Sequence, residues 1–447
     1  SWVRNCDLKS LMSHPKERPH RHHYEAEMLS VEEARERILS YFERLPAENV
    51  PLTEALGQVL AEDMVAGFNI PPLPNSAMDG YAVRKADVID ASTESPVELE
   101  VIRTVAAGEL PDRPVVQGTA IRIMTGAPIP DGADAVVPFE DTDELERRKD
   151  SGAQSRIGIH LAAEHLENIR DAGEDVQQGE TVLSSGQILR SGELGVVASL
   201  GFDAVSAFRR PVVAIVSTGD ELLQPGEEHQ PGKIYNSNAY SIASMVTKYG
   251  GQPRIMGIAK DTIESLQAAL DEAMDADLVV TSAGVSKGDY DVVKDVLSSK
   301  GEIALWSVRM RPAKPLAFGV LERSDGKKVP HLGLPGNPVS AMVAFEQFGR
   351  SALRKMMGKP DRAKSSVQAI MDDPVTNHDG RRVYARVQVY TDESGQYRAR
   401  STGNQSSGVL RSMALANGLA ICPDDIGMID AGEIATVEML DWPDDIF

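Results

Sequence analysis

Cysteine is nearly absent from this chain: of 447 residues only Cys6 and Cys422 carry a thiol. They cannot form a CxxC redox or zinc motif, and they read as two reduced thiols of a cytoplasmic protein. No apolar run approaches the roughly 20 residues that cross a bilayer. The longest, such as Val212–Val216, are strand-sized. No apolar segment follows the basic residues near the start, so no secretory signal is expected. Residues 1–28 are polar, with His20, His22 and His23 close together. They are expected to form a flexible leader rather than a metal site, because no regular element sets ligand geometry there. Ser/His/Asp and Cys/His arrangements are missing too, and the histidines beyond the leader are scattered singly. Nucleophilic catalysis is therefore disfavoured. Internal repeats and low-complexity tracts are absent.

What the chain has in excess is acid. Its formal charge is -21, with 42% hydrophobic and 25% charged residues. That balance fits a folded protein with several cores, and it repels nucleic acid and anionic membranes. It repels phosphate and oxyanion substrates as well. A site for such an anion needs local positive charge from a metal, from Lys/Arg or from helix N-termini.

Periodicity divides the chain. A helix is expected from Leu29, with Ser30 and Glu33 at capping-box spacing and Val31, Ala34, Ile38, Phe42 and Leu45 on one face. A second short helix is expected over Thr53–Asp63. Residues 70–172 turn to strands and Pro/Gly turns, with strands at Val97–Val105 and Thr119–Met124 and a solvated loop over the charge run Glu140–Asp150. Residues 210–358 alternate buried strands with capped helices. Val212–Ser217, Arg254–Ile258 and Leu278–Ser282 are the strands, and Ala239–Tyr249 and Thr262–Met274 the helices, with a further helix after Asp289. Asp261 and Glu264 are placed to cap the second helix. The pattern predicts a parallel, doubly wound α/β sheet, whose ligands lie beyond the carboxyl ends of the strands. Short strands such as Arg382–Tyr390 and Gly418–Cys422 predict a small β-barrel or sandwich over 359–447.

Two Gly-containing turns leave strands of that sheet. Residues 281–289, TSAGVSKGD, offer backbone N–H groups and the hydroxyls of Ser282 and Ser286 to an anion; Gly284 and Gly288 allow close approach, and Asp289 ends the turn. In 334–340, LPGNPVS, Pro335 and Gly336 precede Asn337, a helix cap, and Ser340 follows in the first turn. Both turns also serve simply to start helices. Acids gather on the same rim or in other turns: Asp79, Asp175, Asp220, Glu221, Asp261, Asp289 and Asp291. Each alone suits a cap or turn, but an oxygen-only set selects a hard ion such as Mg²⁺. Arg309, Arg311 and Lys314 lie in SVRMRPAKPLAFG, where two prolines stiffen the backbone. Metal-assisted phosphoryl or nucleotidyl chemistry fits this collection.

In order along residues 29–447 stand PPLPNSAMDGYAVR, IMTGAPIPDGADAVVPFE, NIRDAGEDVQQGETVL, VSTGDEL, GKIYNSN, SAGVSKGDYD, RPAKPLAFG and LGLPGNPVSA. Together they resemble the molybdopterin molybdenumtransferase family, of the MoeA and gephyrin E-domain type. The resemblance implies an elongated four-part chain and a homodimer. Domain I would comprise 29–70 and 173–209, the strand-rich domain II 71–172, the α/β domain III 210–358 and the barrel domain IV 359–447. It implies Mg²⁺-dependent insertion of molybdate into adenylylated molybdopterin with release of AMP, at a site shared between subunits. By motif, Asp79, Thr125, Arg170, Asp175, Glu221, Asp261 and Asp291 would be the catalytic set, with Glu221, Asp261 and Asp291 at the metal. Ser282, Gly284, Ser286, Gly288, Asp289, Pro335, Gly336, Asn337 and Ser340 would cradle pterin and phosphates. Arg311, Lys314, Pro315, Arg381 and Ser407 would hold the oxyanion.

Three departures bear on substrate contact. The family's KPGKP reads Arg311-Pro312-Ala313-Lys314-Pro315, which keeps the charge, replaces an ammonium by a planar fork and stiffens the loop. Ser307 replaces a Lys often found after the Trp, and Ala283 puts a methyl where SGGVS has Gly. Two other readings remain: a scaffold that binds molybdopterin without turnover, which need not keep the acids, and the same chemistry with tungstate, an oxyanion of nearly equal size and charge.

Overall fold

The computed structural model describes residues 28–150, 155–282, 296, 299, 301–323 and 325–442. The chain forms two compact units, one of residues 1–46 with 209–447 and one of residues 47–208. No helix among the described residues is long and apolar enough to cross a membrane.

Helix α1 (Val31–Leu39) begins with the expected capping box, in which Ser30 Oγ accepts from Glu33 N and the Glu33 carboxylate accepts from Ser30 N. Val31, Ala34 and Ile38 are buried on one face.

In the 47–208 unit, β1 (Ala47–Pro51) pairs antiparallel with a later strand. β2 (Gly80–Val83), β3 (Val97–Val105), β4 (Thr119–Ile123), β5 (Ala135–Pro138) and β6 (Arg156–Ile159) make a sheet of order β5-β2-β4-β3-β6. Helix α2 (Ser191–Ser199) and strand β7 (Ala204–Phe208), the partner of β1, complete the unit. Two expectations fail here. Residues 53–63 form turns, not a helix; Gly57 sits at φ +77°, and Val59 and Leu60 bridge to Ile188 and Ala207. Pairing to neighbouring chain won over local propensity. Conversely, the charge run contains a 3₁₀ turn, Phe139–Asp141, and a helix, Glu144–Asp150. Glu144 is 1% exposed and accepts from Arg122 Nε at 2.8 Å, so this run is anchored by a buried ion pair.

The other unit contains β8 (Val212–Thr218), α3 (Ser237–Lys248), β9 (Gln252–Ala259), α4 (Ile263–Ala273), β10 (Leu278–Ser282), β11 (Gly301–Ser307), β12 (Pro315–Glu322), β13 (Lys328–Leu334), α5 (Pro338–Ala344) and α6 (Arg350–Met356). The sheet order is β9-β8-β10-β13-β12-β11. The first four strands are parallel as expected; β12 runs against both its neighbours, β13 and β11, so the sheet is mixed. The cause is local: only five residues, 323–327, join β12 to β13, which is too short for a crossover.

Alternation along β8 fills two cores. Val213 and Ile215 face α3, α1 and the α5–α6 region; Ala214 and Val216 face α4. All four are fully buried, each larger side chain being worth about 1.5–3 kcal/mol. Beyond α6, β14 (Ser366–Met371), β15 (Arg382–Thr391), β16 (Tyr397–Ser401), β17 (Gly418–Cys422) and β18 (Ile434–Met439) close on themselves in the order β15-β16-β14-β18-β17, with β17 pairing back to β15. This is a closed five-stranded barrel. Its core takes Val383, Ala385, Val387 and Val389 from β15, whereas Tyr384 packs into the α/β core on the opposite face. Cys422 is a buried free thiol; Cys6 lies outside the described residues.

Candidate functional site: an acidic sheet edge and a cationic cavity

Because β8 leads through α3 to β9 on one side, and β9 leads through α4 to β10 on the other, the chain reverses direction at β8 and β10. In a doubly wound sheet, ligands bind outside the carboxyl ends of the strands at such a point. Three connections meet there. Asn238, in the first turn of α3, donates from Nδ2 to Ser282 Oγ (2.8 Å) at the end of β10 and to Gly336 O (2.7 Å) after β13. Asn236 caps α3, accepting from Ala239 N at 3.3 Å and from Ser217 Oγ at 3.2 Å. Its Nδ2 is buried without a partner among the described residues.

Asp220, Glu221 and Asp261 stand exposed on this edge. Asp220 N donates to Asp261 Oδ2 at 3.2 Å and Asp261 N to Asp220 Oδ1 at 3.4 Å, which draws the ends of β8 and β9 together. Gly219, at φ +146°, leaves room for Glu221: a Cβ there would lie 2.5 Å from its carboxylate oxygen. Asp261 is not the helix cap that its position suggests. Thr262 caps α4 by accepting from Ser265 N, leaving the Asp261 carboxylate to Asp220. Among the described residues no three His, Cys, Asp or Glu side chains converge as a metal cluster. Gly284, Ser286, Gly288, Asp289 and Asp291, with the helix expected after Asp289, lie outside the described residues.

A cavity of about 720 Å³ opens beside the 334–340 turn. Arg311, Lys314, Pro315, Asn337, Ser340, Arg381 and Ser407 all line it, and Pro335 and Gly336 lead into its wall. Three pieces of backbone build it. Residues Met310 and Arg311 pair in parallel with Arg382 and Val383, fixing the RPAKP loop to the barrel. Val339 N donates to Ser407 O at 3.1 Å, docking the barrel loop on the start of α5. Pro338 occupies the first turn of α5, and Asn337 precedes it without capping it, so its side chain is left for the cavity. Sequence reading missed Arg386, Asn404, Gln405 and Ser406, which also line the cavity. Arg386 could have been found by counting alternate positions along β15 from Arg382. The lining contains four cations, Arg311, Lys314, Arg381 and Arg386, and no carboxylate. Asp379, just outside, is held below the usual aspartate range by Arg381 and Arg311, against the opposing effect of burial.

The remaining predicted residues sit in the 47–208 unit. Asp79 is exposed; its Oδ1 accepts from Thr125 N (2.6 Å) and Thr125 Oγ1 (2.8 Å), and these bonds hold its pKa below the usual value. Arg170 follows Ile169 on a strand whose partner is Asn75–Ser76, while Gly126 N donates to Ser76 O, so the segments carrying Asp79, Thr125 and Arg170 interlock. Asp175 is exposed on the next turn, its N–H bonded to Ile70 O at 3.0 Å. His331, by contrast, belongs to the core: burial pushes its pKa down to about 3, and Thr281 Oγ1 lies 3.0 Å from its Nε2.

Residues 29–201 match the family described as the MoeA N-terminal region (domain I and II), 214–355 the probable molybdopterin binding domain, and 368–440 the MoeA C-terminal region (domain IV). The chain is 39% identical over 412 residues to molybdopterin molybdenumtransferase 2 of Mycobacterium tuberculosis, covering 91% of this chain and 98% of that protein. It is 34% identical over 411 residues to molybdopterin molybdenumtransferase of Staphylococcus epidermidis, covering 92% and 95%. The crystal structure of the molybdopterin biosynthesis MoeA protein from Pyrococcus horikosii superimposes with a TM-score of 0.76 at 31% identity, covering 93% of this chain and all of that one. With matches along nearly its whole length and relatives covered almost completely, the chain belongs to the molybdopterin molybdenumtransferase family.

Proposed function

We propose that this enzyme transfers molybdenum from molybdate to adenylylated molybdopterin and releases AMP. The observation that carries the reading is the cavity: a chain of net charge -21 gathers four cations and no carboxylate in one lining, beside the turn that ends β13. Such a concentration offsets the repulsion that the rest of the molecule exerts on an oxyanion. Arg311, Lys314 and Arg381 hold the molybdate, with Pro315 and Ser407 shaping the wall. The turns at 282–289 and 334–340 receive the pterin nucleotide, kept in register by Asn238. Cytoplasmic synthesis by a homodimer is part of the same proposal, Asp79, Thr125, Arg170 and Asp175 of one subunit serving the sheet edge of the other.

The donors at the sheet edge suit Mg²⁺. Asp220, Glu221 and Asp261 offer only oxygen, and an ion that binds one or two carboxylates plus substrate phosphates needs no closed protein cage. Glu221 and Asp261, with Asp291, would hold it. When bound, the ion would neutralise charge on the pyrophosphate link that is cleaved.

The test is Lys314→Ala. A charge-assisted bond is worth about 1.5–3 kcal/mol, so use of molybdate should weaken roughly 10- to 100-fold. Affinity for the nucleotide, measured by calorimetry, should change much less. A variant that loses nucleotide affinity with normal molybdate dependence would move Lys314 to the pterin site.

A further inference from the structure

Glu144 opens a run of charged residues, yet it is buried, and its partner Arg122 leaves only 11% of its side chain exposed. The guanidinium is engaged along its edges and over its plane. Nε and Nη2 donate to the two Glu144 oxygens at 2.8 and 3.2 Å. Nη1 donates to Ile123 O at 3.0 Å and lies 3.5 Å from Met124 Sδ. The rings of Tyr81 and Phe139 have their centroids 5.5 and 5.9 Å from Cζ, within cation–π range. These contacts surround one acid. Ile123 ends β4, and Met124 leads to Thr125, whose N–H and hydroxyl donate to Asp79 Oδ1. Tyr81 stands two residues after Asp79 on β2, and Phe139 N donates to Asp79 O at 3.1 Å. The Thr125 bonds hold the Asp79 carboxyl below the usual aspartate range, and the Arg122 charge adds to them.

Apolar residues of similar volume often replace a buried ion pair with no loss of stability, so stability alone is a poor account of this one. What a two-point arginine–carboxylate pair supplies is direction: the planar fork accepts one orientation and passes it to whatever else it binds. We infer that Arg122, oriented by Glu144, is a positioning residue that sets the Asp79–Thr125 pair in place for the reaction. The Glu144–Asp150 helix then serves the site at a distance, as the support of Arg122, although none of its own residues bonds to Asp79 or Thr125. This rests on the reading that Asp79 takes part in the reaction. A purely structural role for the pair predicts a change in stability and none in turnover by the folded protein.

The two roles separate in the double variant Arg122→Met with Glu144→Leu, made in the full chain, which fills the space of the pair with apolar groups. Thermal unfolding reports its stability, and AMP release at varied adenylylated molybdopterin reports kcat and KM. The expected result is a folded protein whose kcat is about 10- to 100-fold lower, with KM little changed, because misplacing a reacting group by about 1 Å costs that much. The same double change made in Asp79→Asn should lower the remaining turnover no further, since the pair acts through Asp79. A folded double variant with wild-type kcat overturns the inference and leaves Asp79 in the reaction. So does an undiminished loss in the Asp79→Asn background. Asp79→Asn with wild-type turnover overturns both the inference and the reading it rests on. Should the double variant fail to fold, Arg122→Lys decides: it keeps the charge and loses the fork, so kcat should fall about 10-fold at unchanged KM, and wild-type kcat there overturns the inference.

Discussion

Ala313 holds φ +77° in the RPAKP loop, is 5% exposed and lines the cavity. A non-glycine residue there costs about 1–2 kcal/mol. Replacing it with Gly relieves that strain but loses about 0.8 kcal/mol of methyl burial and about 0.4–1 kcal/mol through a freer unfolded chain. The terms nearly cancel, so Ala313→Gly should change stability by less than about 1 kcal/mol. Ala313→Val keeps the positive φ, adds a branched side chain to it and fills the pocket, so a loss above about 2 kcal/mol is expected. Denaturant titration of both variants checks this. A strongly stabilised glycine variant would mean that the methyl contributes little packing.

Among the elements, the start of α3 does most to hold the sheet edge together. Asn238 joins it to the end of β10 and to the turn after β13 through two bonds from one amide. Asn238→Ala leaves Gly336 O and Ser282 Oγ without that donor, for a cost of about 1–3 kcal/mol. Asn238→Asp should be at least as harmful, because a carboxylate cannot donate and would face the Gly336 carbonyl. Thermal unfolding together with calorimetry of nucleotide binding tests the pair; an aspartate variant that behaves as wild type would show that the amide's donation does not matter. The same element shows how far a motif can be read. GKIYNSN was visible as a family motif, and the Asn236 cap is a local bond to Ala239 N, yet Asn238 as tie follows only from the parallel pairing that brings residues 282 and 336 beside 238.

For the whole molecule, the candidate acids divide between the two compact units, with Asp79 in one and Glu221 in the other. The proposed homodimer predicts that Asp79→Asn and Glu221→Gln, each nearly inactive alone in AMP release, regain part of the activity when mixed and allowed to exchange subunits. A fully active monomer by light scattering, or no recovery after verified exchange, would count against a shared site.

The sequence alone determined the first three strands of the α/β domain and the two helices between them, because buried strands are continuous apolar runs and capped helices announce their ends; the strands at 301–307, 315–322 and 328–334 and their antiparallel pairing came only with the structure. It also placed Arg311, Lys314, Arg381 and Ser407 in one family pattern. Tertiary structure decided the rest. Whether residues 53–63 coil or pair, and whether the 144–150 run is solvated or anchored, depended on partners such as Ala207 and Arg122 that lie far away in the chain. Asp261 gave up the cap because Asp220, 41 residues earlier, competes for its carboxylate. Arg386 became a buried cation only because barrel closure turned the even face of β15 toward the cavity. Local propensity is encoded within a few residues, whereas burial and charge pairing are set by neighbours that only the folded chain supplies.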